Sequence, residues 1–229
     1  MKTAIILHLY YQDLWEEFKQ KITPILNNNV HLYVSIHNTQ TQYYDDILRI
    51  ATQVFVVENR GLDIAPFLFV YDKIRDSGYT NLLKLHSKKS LHTPNIGDNW
   101  RQSLYFPLVE NYDEIQQQVQ QVEQPWMLGV REFYHDMLIE PKNHPNKLAA
   151  KPYIDRACEL LQVEDDGSFF AGTMFIVNST YLKLLLGSID LEHLYTLFEE
   201  GYTRDSLAHG MERVLGYGIQ YYKGTYYTI

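Results

Sequence analysis

The chain has 229 residues, a hydrophobic fraction of 45% and a formal net charge of −8 at pH 7. This length and composition are typical of a globular protein with an ordinary core, which excludes an intrinsically disordered chain. The negative charge argues against a nucleic-acid groove or a broad patch for anionic membranes, because both need a basic face to collect phosphates. Any anion site must therefore be local.

The amino-terminal stretch and the cysteine content indicate the cellular compartment. The run "TAIILHLY" is typical of a first strand and lacks a signal-peptide cleavage site. No apolar run reaches the ~20 residues of a membrane span. The single cysteine, Cys158, excludes an internal disulfide and fits a reducing compartment, where it is a core thiol and not a nucleophile. Export is not indicated.

Strands and helices alternate in the first half of the chain. The patterns predict strands at "TAIILHLY", "VHLYVSIHN", "VFVVENRG" and "TNLLKLHS", with helices at "QDLWEEFKQKITPILNN", "TQYYDDILRIATQ" and "DIAPFLFVYDKIRDSG". The continuous apolar run Val54–Val57 predicts a strand covered on both faces. The alternation predicts an α/β fold with a mostly parallel central sheet flanked by helices, in which ligands sit at the carboxyl ends of strands.

The second half is less regular. It predicts one or two helices from "NIGDNW" to "VEQ", a strand at "PWMLGV", a long loop over residues 132–147 and a helix at "KLAAKPYIDRACELLQ". A strand at "TMFIV", helices at Ser179–Leu186 and Asp205–Leu215, and a last strand at "IQYY" follow. No linker rich in Gly, Ser or Pro interrupts the chain, so we expect one domain over residues 1–229.

The segment "ENRGLDIAPF" is the first candidate site. Gly61 permits a tight turn, and the following helix begins near Asp63, so its free backbone N–H groups are suited to a phosphate or ribose. In the alternative interpretation Asp63 is only an N-terminal cap and Arg60 its exposed neighbour. The spacing alone does not decide between the two.

The segment "LLKLHSKKS" is the second candidate. Strand alternation places Lys84 and His86 on the face opposite the neighbouring leucines, and Lys88 and Lys89 follow the strand end. On a solvated edge, three lysines without nearby acids would repel one another, so a bound polyanion such as a diphosphate is favoured.

Zinc is not indicated by this or any other segment. The histidines lack close ligand spacing and no cysteine joins them. These histidines are His86, His92, His135 and His144.

Two later segments also carry candidates. In "DDGSFFAGTMFIV", Gly172 lets a backbone approach closely, although a core strand after a turn explains the pattern as well. In "TRDSLAHGMERVLGY", Asp205, His209 and Glu212 recur at helical spacing, which usually marks a solvated face. If that face lines a cleft, Asp205 or Glu212 is suited to take a proton from a hydroxyl nucleophile.

Six ordered motifs carry a family resemblance: "IILHLYY", "NRGLDIAPFL", "LLKLHSKKS", "WRQSL", "FFAGTMF" and "LAHGMERVLG". Together, from His8 to Gly216, they resemble the rhamnan synthesis protein F family of bacterial cell-surface polysaccharide assembly. The resemblance implies a glycosyltransferase, often a rhamnosyltransferase, with a GT-A-like nucleotide-sugar-binding fold. It also implies a donor-binding half at about 1–100 and an acceptor-side half at about 101–229.

The resemblance assigns a role in donor binding to several of these residues. In GT-A enzymes an Asp-x-Asp pair holds a divalent metal on the donor diphosphate, but this chain has "LKLHSKK" at that position. Lysines and a histidine in a dry cleft can supply the positive charge directly, so we expect metal-independent binding and no cofactor. The expected donor-binding residues are Asn59, Arg60, Gly61, Asp63, Lys84, His86, Lys88 and Lys89.

The acceptor side follows from the later motifs. The catalytic base is expected to be Asp205 and then Glu212, with Asp63 and Asp98 as open alternatives. The family has a proline before the Ala-Gly pair where this chain has Phe170, so the shape of that turn stays open. The expected acceptor-side residues are Trp100, Arg101, Gly172, Met174, His209 and Arg213.

The function implied by the resemblance is inverting transfer of L-rhamnose from a nucleotide sugar such as dTDP-rhamnose. The acceptor would be a growing, lipid-linked surface glycan, with other assembly enzymes as partners and no nucleic acid. The location would be cytoplasmic or peripheral at the inner membrane face. The alternative is a non-catalytic module of the same fold that binds nucleotide, glycan or a partner transferase. A sugar phosphotransferase would need a P-loop or a nucleophilic Asp motif, and the sequence has neither.

Overall fold

A central sheet of seven strands organises the molecule. The computed structural model describes residues 1–89, 94–136, 145–165, 167–203 and 205–229, with the backbone alone for 94–98 and 145–149. The strands are β1 (Thr3–His8), β2 (Val30–Ile36), β3 (Gln53–Val56), β4 (Asn81–His86), β5 (Trp126–Gly129), β6 (Tyr134–Asp136), β7 (Ser168–Phe170), β8 (Phe175–Asn178) and β9 (Thr225–Thr228). The helices are α1 (Trp15–Ile22), α2 (Tyr44–Ile50), α3 (Ile64–Ile74), α4 (Pro94–Glu110), α5 (Tyr112–Val119), α6 (Pro145–Leu161), α7 (Ser179–Leu186), α8 (Leu191–Thr196) and α9 (Leu207–Tyr221).

The strand order is β3-β2-β1-β4-β8-β5-β9, and β6 pairs separately with β7. All neighbours in the large sheet are parallel except β8, which is antiparallel to both β4 and β5. His8 at the end of β1 is in register with His86 at the end of β4. The carboxyl ends of β1, β2 and β4 therefore share one edge, and the reversed β8 starts at that same edge.

Helices cover both faces of the sheet. On β1, Ala4 and Ile6 join the core cluster that contains α3, α6, α7, α8 and α9. The alternate residues Ile5 and Leu7 join the cluster that contains α1, α2, α4 and α5. Each fully buried aliphatic side chain contributes about 1.5–3 kcal/mol, which makes these two layers the main source of stability. The predicted α/β class with a mostly parallel sheet flanked by helices is confirmed.

Local chemistry explains several helix boundaries. The Asn178 side chain accepts from the backbone N–H of Tyr181 at 3.1 Å and caps α7. Asp190 does the same for α8, with the N–H of His193 at 3.0 Å. Such caps satisfy backbone donors that have no partner inside a helix. The predicted helix at Ser179–Leu186 is confirmed.

Three predictions in the fold were wrong. β3 is an edge strand whose Val56 is 56% exposed, so its apolar run is not covered on both faces. The segment "IQYY" lies at the end of α9, where Ile219 is buried by helical periodicity, and the last strand is Thr225–Thr228. The predicted long loop at 132–147 contains β6 and the start of α6, and its residues 137–144 lie outside the described part of the chain.

Two further expectations concern the single cysteine and membrane-spanning helices. Cys158 is a free, buried thiol, and burial raises its pKa to about 11, so it is the core thiol that we predicted. Across the described ranges, no helix combines the length and the apolar character needed to cross a membrane.

Candidate functional site

The carboxyl edge of the sheet gathers buried polar side chains. His8 ends β1, His86 ends β4, and the turn before β8 brings Thr173 to the same edge. All three residues are at most 6% exposed. Buried polar groups need partners, so their contacts define what this edge does.

A buried ion pair forms the centre of this edge. The Lys84 ammonium, on a side chain that is 1% exposed, contacts the Asp63 carboxylate and donates to the Thr173 carbonyl at 2.9 Å and hydroxyl at 3.0 Å. The Thr173 hydroxyl in turn donates to Asp63 Oδ2 at 2.5 Å. His86 Nδ1 lies 3.3 Å from the same oxygen, outside hydrogen-bond geometry, and has no hydrogen-bond partner among the described residues. We call Asp63, Lys84, His86 and Thr173 the Asp63 cluster.

The Asp63 cluster contains one charged pair, Asp63 and Lys84, and the imidazoles beside it are neutral. Burial would raise the pKa of Asp63, but His86, Lys84 and the Thr173 hydroxyl lower it well below its usual range. Burial lowers the pKa of His86 to about 3 and that of His8 to about 4, so both rings are neutral at pH 7. Burial also lowers the pKa of Lys84, against the pull of Asp63. The Lys84 charge is therefore held inside the protein by Asp63 and Thr173.

The loop before α3 differs from the capping interpretation. Asp63 precedes α3 but its side chain makes no capping hydrogen bond, because it turns toward Lys84. Arg60 is not simply exposed: its side chain, 16% exposed, pairs with Glu200 at 2.6 Å and Glu58 at 3.1 Å and donates to the Phe198 carbonyl at 2.7 Å. Asp63 does occupy the N-cap position, but the expected capping bond and the expected exposure of Arg60 were both wrong. Arg60 joins this loop to the segment before α9.

Gly61 shapes the same loop. Its φ is +61°, and an added Cβ would lie 2.6 Å from Ala65 Cβ and 2.7 Å from Phe198 Cγ. Gly78 also has a positive φ, +77°, but has open space around it. We expect Gly61→Ala to lower the free energy of unfolding by about 3 kcal/mol, since overpacking adds to backbone strain. Gly78→Ala should cost only about 1 kcal/mol through strain. Urea unfolding of both variants measures the difference, and equal losses would contradict the packing argument.

The three predicted lysines do not share one environment. Lys84 pairs with Asp63 and Lys89 with Asp13, so the premise that these lysines lack nearby acids was wrong. The folded chain brings both acids from distant sequence positions. Lys88 is half-buried, and its ammonium lies 3.9 Å from the centre of the Trp100 ring. Within the described part of the chain, the partner of the Lys88 ammonium is this ring and not a carboxylate. Lys88 follows His86, the last residue of β4, by two positions, and its charge lowers the pKa of both Lys84 and His86.

The turn between β7 and β8 connects the Asp63 cluster to α9. Gly172 has φ +83° and donates its backbone N–H to Glu212 Oε1 at 2.8 Å, and Thr173 has φ +49°. The Glu212 charge raises the pKa of Lys84, so this carboxylate lies within electrostatic reach of the cluster. Phe170 and Met174, which flank the turn, are both in the core. The turn therefore presents Gly172 and Thr173, but not Met174, to the site.

The remaining predicted residues lie in several environments. Asp205 precedes α9, has φ +57° and is not on the helix face, so the predicted spacing with His209 and Glu212 was wrong. His209 Nδ1 bonds the Ser206 hydroxyl at 2.9 Å. Arg213 donates to the His209 carbonyl at 2.8 Å and lies 5.3 Å from the Phe169 ring.

Three other predicted residues belong to loops and to α4. The Asn59 carbonyl accepts from Gly201 at 2.7 Å. Arg101 is 2% exposed and pairs with Glu17. The side chain of Asp98 lies outside the described residues.

The sequence reasoning missed two histidines and one hydroxyl. His8 Nδ1 lies 3.0 Å from the Ser35 hydroxyl, and His37 stacks on Tyr10 with ring centres 4.6 Å apart. The sequence does carry a signal for the histidines. β1 and β4 end in "ILH" and "KLH", and β2 ends just before the histidine of "SIH". Histidine at three neighbouring strand ends predicts a shared edge. Thr173 gave no such signal, because its role depends on a turn that is strained in φ.

The potential metal ligands of the described residues do not cluster. Within the described ranges, no group of three or more His, Cys, Asp or Glu side chains is placed to hold a metal ion. Asp63, the carboxylate of the Asp63 cluster, already accepts from Lys84 and Thr173. His92 and His144 lie outside the described residues.

The fold and site define an α/β protein with a polar cluster at the carboxyl edge of its sheet. The family described as "Rhamnan synthesis protein F" matches residues 1–223, and the chain belongs to that family. Among curated proteins, the chain is 27% identical over 237 residues to WxcX from two strains of Xanthomonas campestris pv. campestris, B100 and ATCC 33913. The match covers 94% of this chain but only 31% of WxcX, so the chain spans about a third of that relative. Among solved structures, the mannose-1-phosphate geranyltransferase of Thermus thermophilus is similar, with a TM-score of 0.43 and 12% identity over 87% of this chain and 69% of that chain.

Proposed function

We propose that this chain is a glycosyltransferase domain of bacterial surface polysaccharide synthesis, with a GT-A-like donor site at the carboxyl edge of the sheet. The donor would be a nucleotide sugar, with L-rhamnose as the transferred group, and the acceptor a growing, lipid-linked glycan. Membership in the rhamnan synthesis family supports the biological role. The observation that carries the chemistry is the position of Lys88, a cation without a carboxylate partner in the described chain, two residues after His86 at the end of β4 and over the Trp100 ring.

In this proposal Lys88 contacts the donor diphosphate. Lys84 and Lys89 are already neutralised by Asp63 and Asp13, so neither offers a full charge to an incoming anion. His86 adds a neutral imidazole whose Nδ1 has no hydrogen-bond partner among the described residues. A cation and a polar ring held beside a buried ion pair can stabilise the charge that develops on a leaving diphosphate. Metal-independent transfer remains part of the proposal.

Glu212 is the better candidate for the catalytic base. Its Oε1 accepts from the Gly172 N–H, while Oε2 lies 4.0 Å from Arg213 Nη1 and is the oxygen left for an acceptor hydroxyl. The carboxylate would take the hydroxyl proton as the acceptor oxygen attacks the anomeric carbon. The bond to the diphosphate then breaks, and the nucleoside diphosphate leaves with the electron pair. One displacement of this kind inverts the anomeric centre. Asp205, which lies before α9, is the second candidate.

Two substitutions separate binding from chemistry. We expect Lys88→Met to weaken binding of dTDP-rhamnose at least tenfold, because a charged contact to phosphate is lost.

We expect Glu212→Gln to lower kcat by about 10²–10⁴-fold with donor affinity unchanged, as for loss of a general base. Calorimetry gives the affinity, and release of dTDP in the presence of EDTA and a rhamnoside acceptor gives the rate. Lys73→Met, which removes a lysine of α3 that pairs with Glu192 of α8, is the matched control.

Each result decides between stated alternatives. Donor binding without dTDP release would favour the non-catalytic module. Release that stops with EDTA and returns with Mg²⁺ or Mn²⁺ would refute the metal-independent mechanism. A large loss of rate in Asp205→Asn with a normal rate in Glu212→Gln would move the base to Asp205.

A further inference from the structure

A bidentate ion pair between the buried Arg101 and the partly buried Glu17 lies next to the loop that carries Lys88. Arg101, on α4, donates from Nε to Glu17 Oε1 at 2.9 Å and from Nη2 to Glu17 Oε2 at 2.7 Å. Glu17, on α1, also accepts from the Tyr105 hydroxyl at 2.8 Å and from Gln102 Nε2 at 3.2 Å. The planar guanidinium fork fits a carboxylate in this way, and a lysine does not reproduce it.

The third donor of this guanidinium reaches the loop itself. Arg101 Nη1 donates to the Lys88 carbonyl at 2.9 Å. The preceding residue, Ser87, is fixed from the other side, since its N–H donates to the His8 carbonyl at 2.9 Å and its hydroxyl accepts from the Tyr11 N–H at 2.8 Å. Two consecutive residues of the loop are thus held by β1 and by α4.

The Lys88 side chain is held by the same helix. Its ammonium lies 3.9 Å from the centre of the Trp100 ring, and Trp100 is the residue before Arg101. A cation over an indole face is attracted by the ring while its remaining N–H groups stay available to an anion. Helix α4 therefore sets both the backbone and the side-chain direction of Lys88. Trp100 and Arg101, expected on the acceptor side, are placed against the donor-side loop.

We propose that Arg101, oriented by Glu17, is a positioning residue that holds Lys88 in the geometry that binds a diphosphate. This inference rests on the proposed donor site, but it concerns residues that do not themselves contact the ligand. A long lysine side chain loses conformational freedom when it binds an anion. A backbone already fixed by Arg101 removes part of that cost before the ligand arrives, which raises affinity through preorganisation.

A double-mutant cycle tests whether Arg101 acts through Lys88. The probe is inorganic pyrophosphate, the group common to all nucleoside diphosphate sugars, titrated by calorimetry in EDTA. The variants are Arg101→Lys, Lys88→Met and the double substitution. We expect each single variant to bind about tenfold more weakly than wild type, and the double variant to match Lys88→Met within about twofold. If Arg101 had only a structural role, Arg101→Lys would weaken pyrophosphate binding in the Lys88→Met background as well.

The cycle distinguishes failure of this inference from failure of the proposed function. A double variant about 100-fold weaker than wild type, the product of the two single losses, would show independent action and overturn the positioning role. Unchanged affinity in Arg101→Lys would overturn it as well. If wild type does not bind pyrophosphate, the donor site and the positioning role both fail. If the cycle holds while no sugar is transferred, the anion site stands and the transferase function fails.

A second route covers the case in which Arg101→Lys does not fold, as judged by circular dichroism. Glu17→Gln keeps the side-chain size and the Arg101 charge but weakens the fork. It should weaken pyrophosphate binding severalfold in the wild-type background and not at all with Lys88→Met. Loss of affinity in both backgrounds would overturn the positioning role.

Discussion

Replacing Asp63 with Asn is expected to lower the free energy of unfolding by about 3–5 kcal/mol, the cost of breaking a buried ion pair on one side. The substitution leaves the Lys84 ammonium, on a side chain only 1% exposed, without its counter-charge. The Thr173 carbonyl and hydroxyl remain as acceptors but carry no net charge. Urea unfolding with linear extrapolation measures the loss.

Two further variants isolate the charge from its surroundings. Asp63→Asn combined with Lys84→Met should regain most of the lost stability, because an apolar side chain of similar length removes the uncompensated charge. Glu192→Gln breaks the ion pair to Lys73, where the side chains are 79% and 37% exposed, and should change stability by less than about 0.5 kcal/mol. A double variant as unstable as Asp63→Asn would show that the hydrogen bonds, and not the charge, are decisive.

Acidification is expected to destabilise the protein through His8 and His86. Their pKa values in the folded state are about 4 and about 3, whereas an imidazole in the unfolded chain titrates near about 6.5. As the pH falls below about 6.5, the unfolded chain therefore binds protons that the folded state does not. The contribution of the two histidines to the free energy of unfolding is therefore fully present above about pH 6.5. As the pH falls from there toward the folded-state pKa values, the free energy of unfolding decreases by up to about 1.4 kcal/mol per pH unit for each histidine.

Acidification also destabilises the protein through Asp63. Its pKa is lowered in the folded state, so its contribution is present above the unfolded value, about 3.9, and is lost as the pH falls further. Urea unfolding at several pH values between 7 and 4 measures the slope. His8→Gln with His86→Gln should flatten it, whereas His193→Gln, an exposed histidine on α8, should leave it unchanged. An unaltered slope in the double variant would contradict the assignment.

The alternating half of the fold was predictable because its signals are local. Apolar runs, helical periodicity and Gly61 placed the first four strands and the turn before α3, and alternation within "LLKLH" put Lys84 and His86 on one strand face. The edge position of β3 was not predictable, since it depends on which strand has no further neighbour. The continuation of α9 through "IQYY" was missed because tertiary burial of Ile219 overrides the strand propensity of the two tyrosines.

The site was only partly predictable, because a sequence shows charges and not their partners. Lys84 and Asp63 are 21 residues apart, and Lys89 and Asp13 are 76 residues apart. Nothing local reveals that these acids neutralise two of the lysines. The link from Gly172 to Glu212, 40 residues apart, also depends on tertiary packing. The family resemblance supplied the right order of motifs, whereas the division into donor and acceptor halves stays a prediction.

The reversed direction of β8 limits how far this chain can be shortened. Because β8 starts where β1 and β4 end, the residue just before it, Thr173, completes a cluster whose other members come from the first 86 residues. Cutting the chain after α5 would therefore leave Lys84 with Asp63 but without its carbonyl and hydroxyl acceptors. It would also remove β8 from the side of β4 and expose that strand's hydrogen-bonding edge. The smallest unit that can carry this site runs through α9, which supplies Glu212.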